Sequence, residues 1–215
     1  MELYPKNRVP FNDVKKFIVI FYIVGLLGFI IPFTKPLFIT ITPFALLLNI
    51  YLLAVYHKYF SIKYVSVFLF IYISGYFIEV IGVNTGLIFG NYSYGKALGI
   101  KLFGTPLLIG VNWLFLTYTS TTILGYFKVK KWYSVLISPI LMVVYDMVLE
   151  QVAPKMNMWS WVNSEVPFKN YFAWYIISFV FVLLLKVFKT ETKNPLGAIL
   201  FICQFVFLLL LSVLL

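Results

Sequence analysis

Seven apolar runs fill most of this 215-residue chain. Each is roughly 15–22 residues long, close to the length at which a helix crosses a hydrocarbon core. The runs are Phe17–Ile31, Leu37–Tyr56, Tyr64–Val83, Thr105–Phe127, Trp132–Glu150, Tyr171–Phe188 and Pro195–Leu215. Charged residues make up 11% of the chain and apolar residues 62%, whereas a soluble domain carries about 25% charge. The expected fold is therefore an all-α polytopic transmembrane helix bundle of about seven spans. It forms a single integral membrane domain over residues 1–215. No A-x-A-like site follows Phe17–Ile31, so that run reads as a retained first span rather than a cleaved signal.

The net charge of +10 does not point to nucleic acid, because the Lys and Arg sit mainly at span ends, where they set orientation and meet anionic headgroups. With seven spans and the N-terminus inside, inner segments hold 12 of the 17 basic residues, including Lys6 and Arg8 of the leader. That bias predicts an inside N-terminus in the cell membrane. Cys203 is alone, which excludes an intramolecular disulfide, and His57 belongs to no Cys/His cluster of metal-site spacing.

Against this apolar background, three of the seven acidic residues lie in or at the end of spans. Asp146 and Glu150 are one helical turn apart and share a face. Glu79 follows Tyr72 and Tyr76 at i, i+4, i+7 spacing. Ionisable groups in such segments are costly and are functional candidates for that reason. No Lys or Arg lies at comparable depth, so the carboxyls are expected to be protonated. In the predicted orientation all three approach the outer face. Two unusual connections lie there as well. Asn84–Gly104 is glycine-rich yet apolar and reads as re-entrant or interfacial. Gln151–Asn170 is an outer Trp-rich loop with Trp159, Trp161, Asn157, Asn163 and Asn170, which suggests a lid. Each feature has a structural alternative: a helix cap for Asp146 or Glu150, a helix-to-helix hydrogen bond for Glu79 or Asn112, and an interfacial belt for Tyr92, Tyr94, Trp159 and Trp161.

A protonated carboxyl in an aromatic, low-dielectric pocket is a strong general acid. It can protonate an electron-rich alkene. Aromatic faces and a nearby carboxylate would stabilise the resulting tertiary cation, which then captures water, loses a proton or cyclises. The same parts also suit a proton-coupled transporter, although the inner halves of the spans offer no ionisable path.

The run Phe89-Gly-Asn-Tyr-Ser-Tyr-Gly-Lys-Ala-Leu-Gly, followed by Leu102-Phe-Gly-Thr-Pro-Leu-Leu-Ile-Gly-Val-Asn-Trp113, resembles the carotenoid biosynthesis membrane proteins that include carotenoid 1′,2′-hydratases. Those proteins continue with an Asp-bearing span, a Gly-x-Trp-x-Trp loop and a Gly-Val-Pro-x-x-Asn segment. The counterparts here are Asp146, Met158-Trp159-Ser160-Trp161 and Val166-Pro167-Phe168-Lys169-Asn170. The likeness covers residues 75–175. It departs at Leu149-Glu150-Gln151, where Leu-Asp-Pro is usual, and at Asn157 or Met158 in place of the loop glycine.

The resemblance implies addition of water to the terminal C1′=C2′ double bond of an acyclic carotenoid end, without cofactor or metal. In that expectation an acid among Glu79, Asp146 and Glu150 protonates C2′, and a second carboxylate orients the attacking water. Asn112 and Asn170 hold that water, and Tyr92, Tyr94, Trp113, Trp159 and Trp161 line the substrate end. The expected partners are a lycopene- or γ-carotene-like substrate, the lipid bilayer and other carotenoid-pathway enzymes. A carotenoid end-group cyclase is the near alternative. A proton-coupled transporter or lipid-binding membrane protein is the alternative of another class.

Overall fold

A computed structural model describes residues 10–162 and 164–215. Lys6 and Arg8 of the basic leader and Asn163 of the Trp-rich loop lie outside these residues. Seven α-helices are described: α1 Phe11–Ile30, α2 Lys35–Tyr56, α3 Ile62–Thr85, α4 Leu108–Tyr126, α5 Lys131–Val152, α6 Phe168–Val187 and α7 Gly197–Leu214. The chain is an all-α membrane protein. Helices α2, α3, α5, α6 and α7 are long and apolar enough to cross a bilayer. A helix suits that setting because its backbone N–H and C=O groups are satisfied within the segment. Pro43 in α2 and Pro139 in α5 are tolerated where neighbouring helices supply the packing.

Helix α4 is the central pillar and touches α2, α3, α5, α6 and α7. It is more polar than its neighbours, and its buried run Thr117-Tyr118-Thr119-Ser120 continues to Thr122. These hydroxyls largely bond to the helix itself. Thr119 Oγ1 donates to the Phe115 carbonyl at 2.7 Å, and Thr122 Oγ1 donates to the Tyr118 carbonyl at 2.9 Å. Two reach beyond it: the Tyr118 hydroxyl lies 2.8 Å from His57 Nδ1, and Thr122 Oγ1 is 2.7 Å from the Thr192 carbonyl.

Helix α3 stops at Gly86, whose φ of 65° provides the left-handed cap that ends a helix cleanly. Residues 86–107 then form three short strands, β1 Tyr92–Tyr94, β2 Lys101–Leu102 and β3 Thr105–Pro106; β4 is Trp159–Trp161. Strands β2 and β3 pair with each other, and α4 accordingly begins at Leu108 rather than Thr105. Strand β1 pairs antiparallel with β4, with Tyr92 opposite Trp161, Ser93 opposite Ser160 and Tyr94 opposite Trp159. The two unusual connections are therefore one ribbon. Side chains alternate across a strand, so both serines face out while the two tyrosines and two tryptophans are buried on the inner side.

Candidate active site: carboxyls beneath an aromatic ribbon

Glu79 on α3 and Asp146 and Glu150 on α5 are 3%, 0% and 5% exposed. Burial this deep requires partners, and the ribbon supplies most of them. Tyr92 and Tyr94 donate their hydroxyls to Glu79 Oε2 at 2.6 and 2.8 Å. From the opposite strand, Trp159 and Trp161 donate their indole N–H groups to Glu150 Oε2 at 3.0 and 2.7 Å. Each strand of the ribbon thus serves one carboxyl. The phenols of Tyr92 and Tyr94 are held above the usual phenol range by burial and then by the neighbouring Glu79. They remain O–H donors at any physiological pH.

Glu79 has a third donor from below the ribbon. Trp113 on α4 is fully buried and gives its indole N–H to Glu79 Oε1 at 3.0 Å. That reach depends on Gly75, one turn before Glu79. A Cβ there would lie 2.8 Å from Trp113 Cβ, so only glycine lets α3 and α4 come this close. Trp113 in turn stacks on Trp174 of α6, with ring centroids 4.1 Å apart.

Asp146 is bonded differently. Asn170, in the first turn of α6, donates Nδ2–H to Asp146 Oδ2 at 2.9 Å. Asp146 Oδ1 is buried and has no hydrogen-bond partner among the described residues. The three carboxyls surround a cavity of about 20 Å³, walled by Tyr92, Tyr94, Trp161 and Trp174 among others. Such a space has room for about one water molecule.

A second, larger cavity of about 340 Å³ lies alongside and shares Ile109 and Trp159 as a common wall. Its lining is almost wholly apolar. The two cavities meet two faces of α5: Asp146 and Glu150 line the small one, and Tyr145 and Leu149 line the large one.

Nine of the ten residues singled out in the sequence stand in or directly behind the carboxyl cluster. Asn112 does not join them; it lines the larger cavity. Tyr72 and Tyr76 share a helix with Glu79 but do not reach it. The Tyr76 hydroxyl bonds the Leu102 carbonyl at 2.7 Å, and the backbone of Tyr72 packs against Gly110. Trp174 and Phe89 also line the small cavity. They were not legible as site residues because each is one aromatic among many in an apolar run. The ribbon partners of Glu79 and Glu150 did leave a trace in the sequence, the Tyr-Ser-Tyr and Trp-Ser-Trp triplets respectively.

Two lysines close the rim without entering the cluster. Lys101 donates to the Tyr94 carbonyl, and Lys169 donates to the Gly86 carbonyl at 2.7 Å. Among the described residues, no group of three or more His, Cys, Asp or Glu has an arrangement able to hold a metal ion. The three carboxyls are enclosed by aromatic donors.

No curated protein and no solved structure matches the chain. A family model does: the one described as carotenoid biosynthesis protein matches residues 35–215, from the start of α2 to the last residue. That match covers well over half of the sequence and includes every residue of the carboxyl cluster, and the chain belongs to the carotenoid biosynthesis protein family.

Proposed function

We propose that this membrane protein is a cofactor-independent carotenoid 1′,2′-hydratase of the cell membrane. In this reading seven helices span the bilayer, with the N-terminus inside. The observation that carries the proposal is the unequal supply of donors to the three carboxyls around a water-sized space. Glu79 accepts from three donors and Glu150 from two. Donors aimed at a carboxyl favour its ionised form, so the expectation from the sequence that all three carboxyls are protonated is kept in this reading for Asp146 alone. An indole N–H can only donate, so it offers nothing to a carboxyl proton. Asp146 has one donor, and its Oδ1 faces none. It is the member of the cluster suited to carry the proton.

The chemistry then follows with its atoms in balance. A terminal alkene end comes from the larger cavity past Ile109 and Trp159. Asp146 gives its proton to C2′, and the positive charge develops at C1′. Tyr92, Trp161 and Trp174, which line the small cavity, would supply aromatic rings beside that charge, and the Glu150 carboxylate one turn from Asp146 would oppose it. Water between the carboxyls attacks C1′ and gives a proton to Glu150. Return of that proton to Asp146 restores the enzyme. The net change is one water added and a tertiary alcohol formed. Glu79 is a positioning residue that fixes the two phenols and Trp113.

A space for one water favours hydration over cyclisation. Expression in a lycopene- or γ-carotene-producing bacterial host tests the reading by liquid chromatography and mass spectrometry of the pigments. A product heavier by one water is expected with the natural sequence and is absent with Asp146→Asn. A product of unchanged mass and shifted retention would establish cyclisation instead. Unchanged pigment would leave transport or lipid binding as the better account.

A further inference from the structure

The larger cavity is mostly apolar; besides Thr42 and Asn112, its wall carries one group of polar side chains bonded to one another, with Tyr145 also bonded to Gln204. Tyr22 of α1, Asn49 of α2 and Gln204 of α7 all line it, and they bond to one another. Asn49 Nδ2 donates to the Tyr22 hydroxyl at 2.7 Å and is 3.4 Å from Gln204 Oε1, and the Tyr22 hydroxyl lies 3.4 Å from the same oxygen. Asn49 and Gln204 are 3% and 7% exposed. Each is a polar residue within an otherwise apolar run, and three different helices bring them together. Polar side chains between membrane helices serve as glue in the simplest case. Glue alone does not require the group to sit on a cavity wall, and two of the three contacts here are long.

The cavity also has a way in. Val24, Ile41 and Phe44, which line it, are 50%, 38% and 70% exposed. They belong to α1 and α2, so the opening faces laterally, toward the apolar surface of the bundle. A volume of about 340 Å³ is at the low end for a ligand pocket. It accommodates one end of a long isoprenoid, the rest passing out between α1 and α2 into lipid.

We propose that Tyr22, Asn49 and Gln204 form a hydroxyl-binding subsite for an isoprenoid that enters the cavity from the bilayer between α1 and α2. A hydroxyl both donates and accepts, and so do the phenol and the two carboxamides. An apolar pocket with a few convergent polar groups is the usual form of a small-molecule site. A hydroxyl inserted among the three would replace the two 3.4 Å contacts with shorter ones. The inference rests on the hydratase reading and deepens it: the hydroxyl held is that of the hydrated end, which occupies the larger cavity while the rest of the chain lies in lipid.

The test separates binding from turnover. Purified Asp146→Asn protein in detergent micelles, which lacks the proposed acid, is titrated with lycopene and with monohydroxylated lycopene. Binding is read as quenching of tryptophan emission by the polyene, since Trp159 lines the cavity. One net hydrogen bond predicts about fivefold tighter binding of the hydroxylated polyene. Adding Gln204→Met or Tyr22→Phe is expected to reduce that preference below about twofold while leaving lycopene affinity unchanged. Lycopene affinity serves as the control for an intact cavity, and the two substitutions are independent probes of the same trio. Equal affinities for the two polyenes before either substitution would overturn the subsite, as would a preference that survives both. The hydratase reading fails separately, if the natural sequence binds hydroxylated polyene selectively yet adds no water.

Discussion

Replacing Glu79 with Gln changes one atom and tests whether the ribbon is held by an ionised carboxyl. Glu79 accepts from Tyr92, Tyr94 and Trp113 at 2.6, 2.8 and 3.0 Å. A glutamine amide keeps one acceptor oxygen and puts an NH₂ in place of the other. If its oxygen faces the two phenols, the NH₂ confronts the Trp113 N–H, and two donors oppose each other. Hydrogen bonds to a charged acceptor contribute about 1.5–3 kcal/mol against about 1 kcal/mol for neutral ones, and an orphaned buried donor costs about 1–3 kcal/mol. Two weakened bonds and one orphaned indole sum to about 3 kcal/mol. For a chain of this size that corresponds to a fall in Tm of about 6–12 °C. The assay is thermal unfolding of the purified protein in detergent, with Tyr94→Phe as the calibrating variant that loses a single bond and falls by about a third as much. A Glu79→Gln protein that melts within about 2 °C of the parent would refute the argument that these donors converge on a charged acceptor.

Trp161→Phe keeps an aromatic ring over the cluster but removes the N–H that reaches Glu150 at 2.7 Å. Hydration in the pigment assay should fall by about tenfold, the factor for about 1.4 kcal/mol of lost preorganisation, whereas an unchanged rate would dissociate the indole from catalysis. His57 at the end of α2 is expected to make stability sensitive to acid. Burial holds its imidazole below the usual value of 6.5, while Nδ1 lies 2.8 Å from the Tyr118 hydroxyl. Protonation therefore favours the unfolded chain. The stability present above pH 6.5 is lost as the pH falls from there through the lowered folded value. Melting temperatures between neutral and mildly acidic pH should drop less in His57→Gln than in the parent. Equal drops would place the sensitivity elsewhere.

The helices and the carboxyls were legible in the sequence for the same reason. Apolar runs of spanning length leave the backbone one main solution, and an acid inside such a run stands out by its cost. Glu79, Asp146 and Glu150 were found that way, without knowledge of what surrounds them. The ribbon was not legible as a strand pair. Tyr92–Tyr94 and Trp159–Trp161 are each three residues long, too short for an alternation to register as a strand, and they are separated by two helices. Their pairing is a tertiary event. Asn112 was placed at the water site because it is polar and near the right level, yet the turn of α4 directs it to the neighbouring cavity, while Trp113 one residue on reaches Glu79. The trio of Tyr22, Asn49 and Gln204 was missed because its members lie on three helices, 27 and 155 positions apart. Each alone reads as an isolated polar residue in an apolar run.

The central claim is that water is the reactant. The most direct test supplies the detergent-purified protein with lycopene in water labelled with heavy oxygen and weighs the product by mass spectrometry. The account predicts a tertiary alcohol whose hydroxyl carries the label, formed equally well without molecular oxygen. An unlabelled hydroxyl, or a product of the same mass as lycopene, would contradict it.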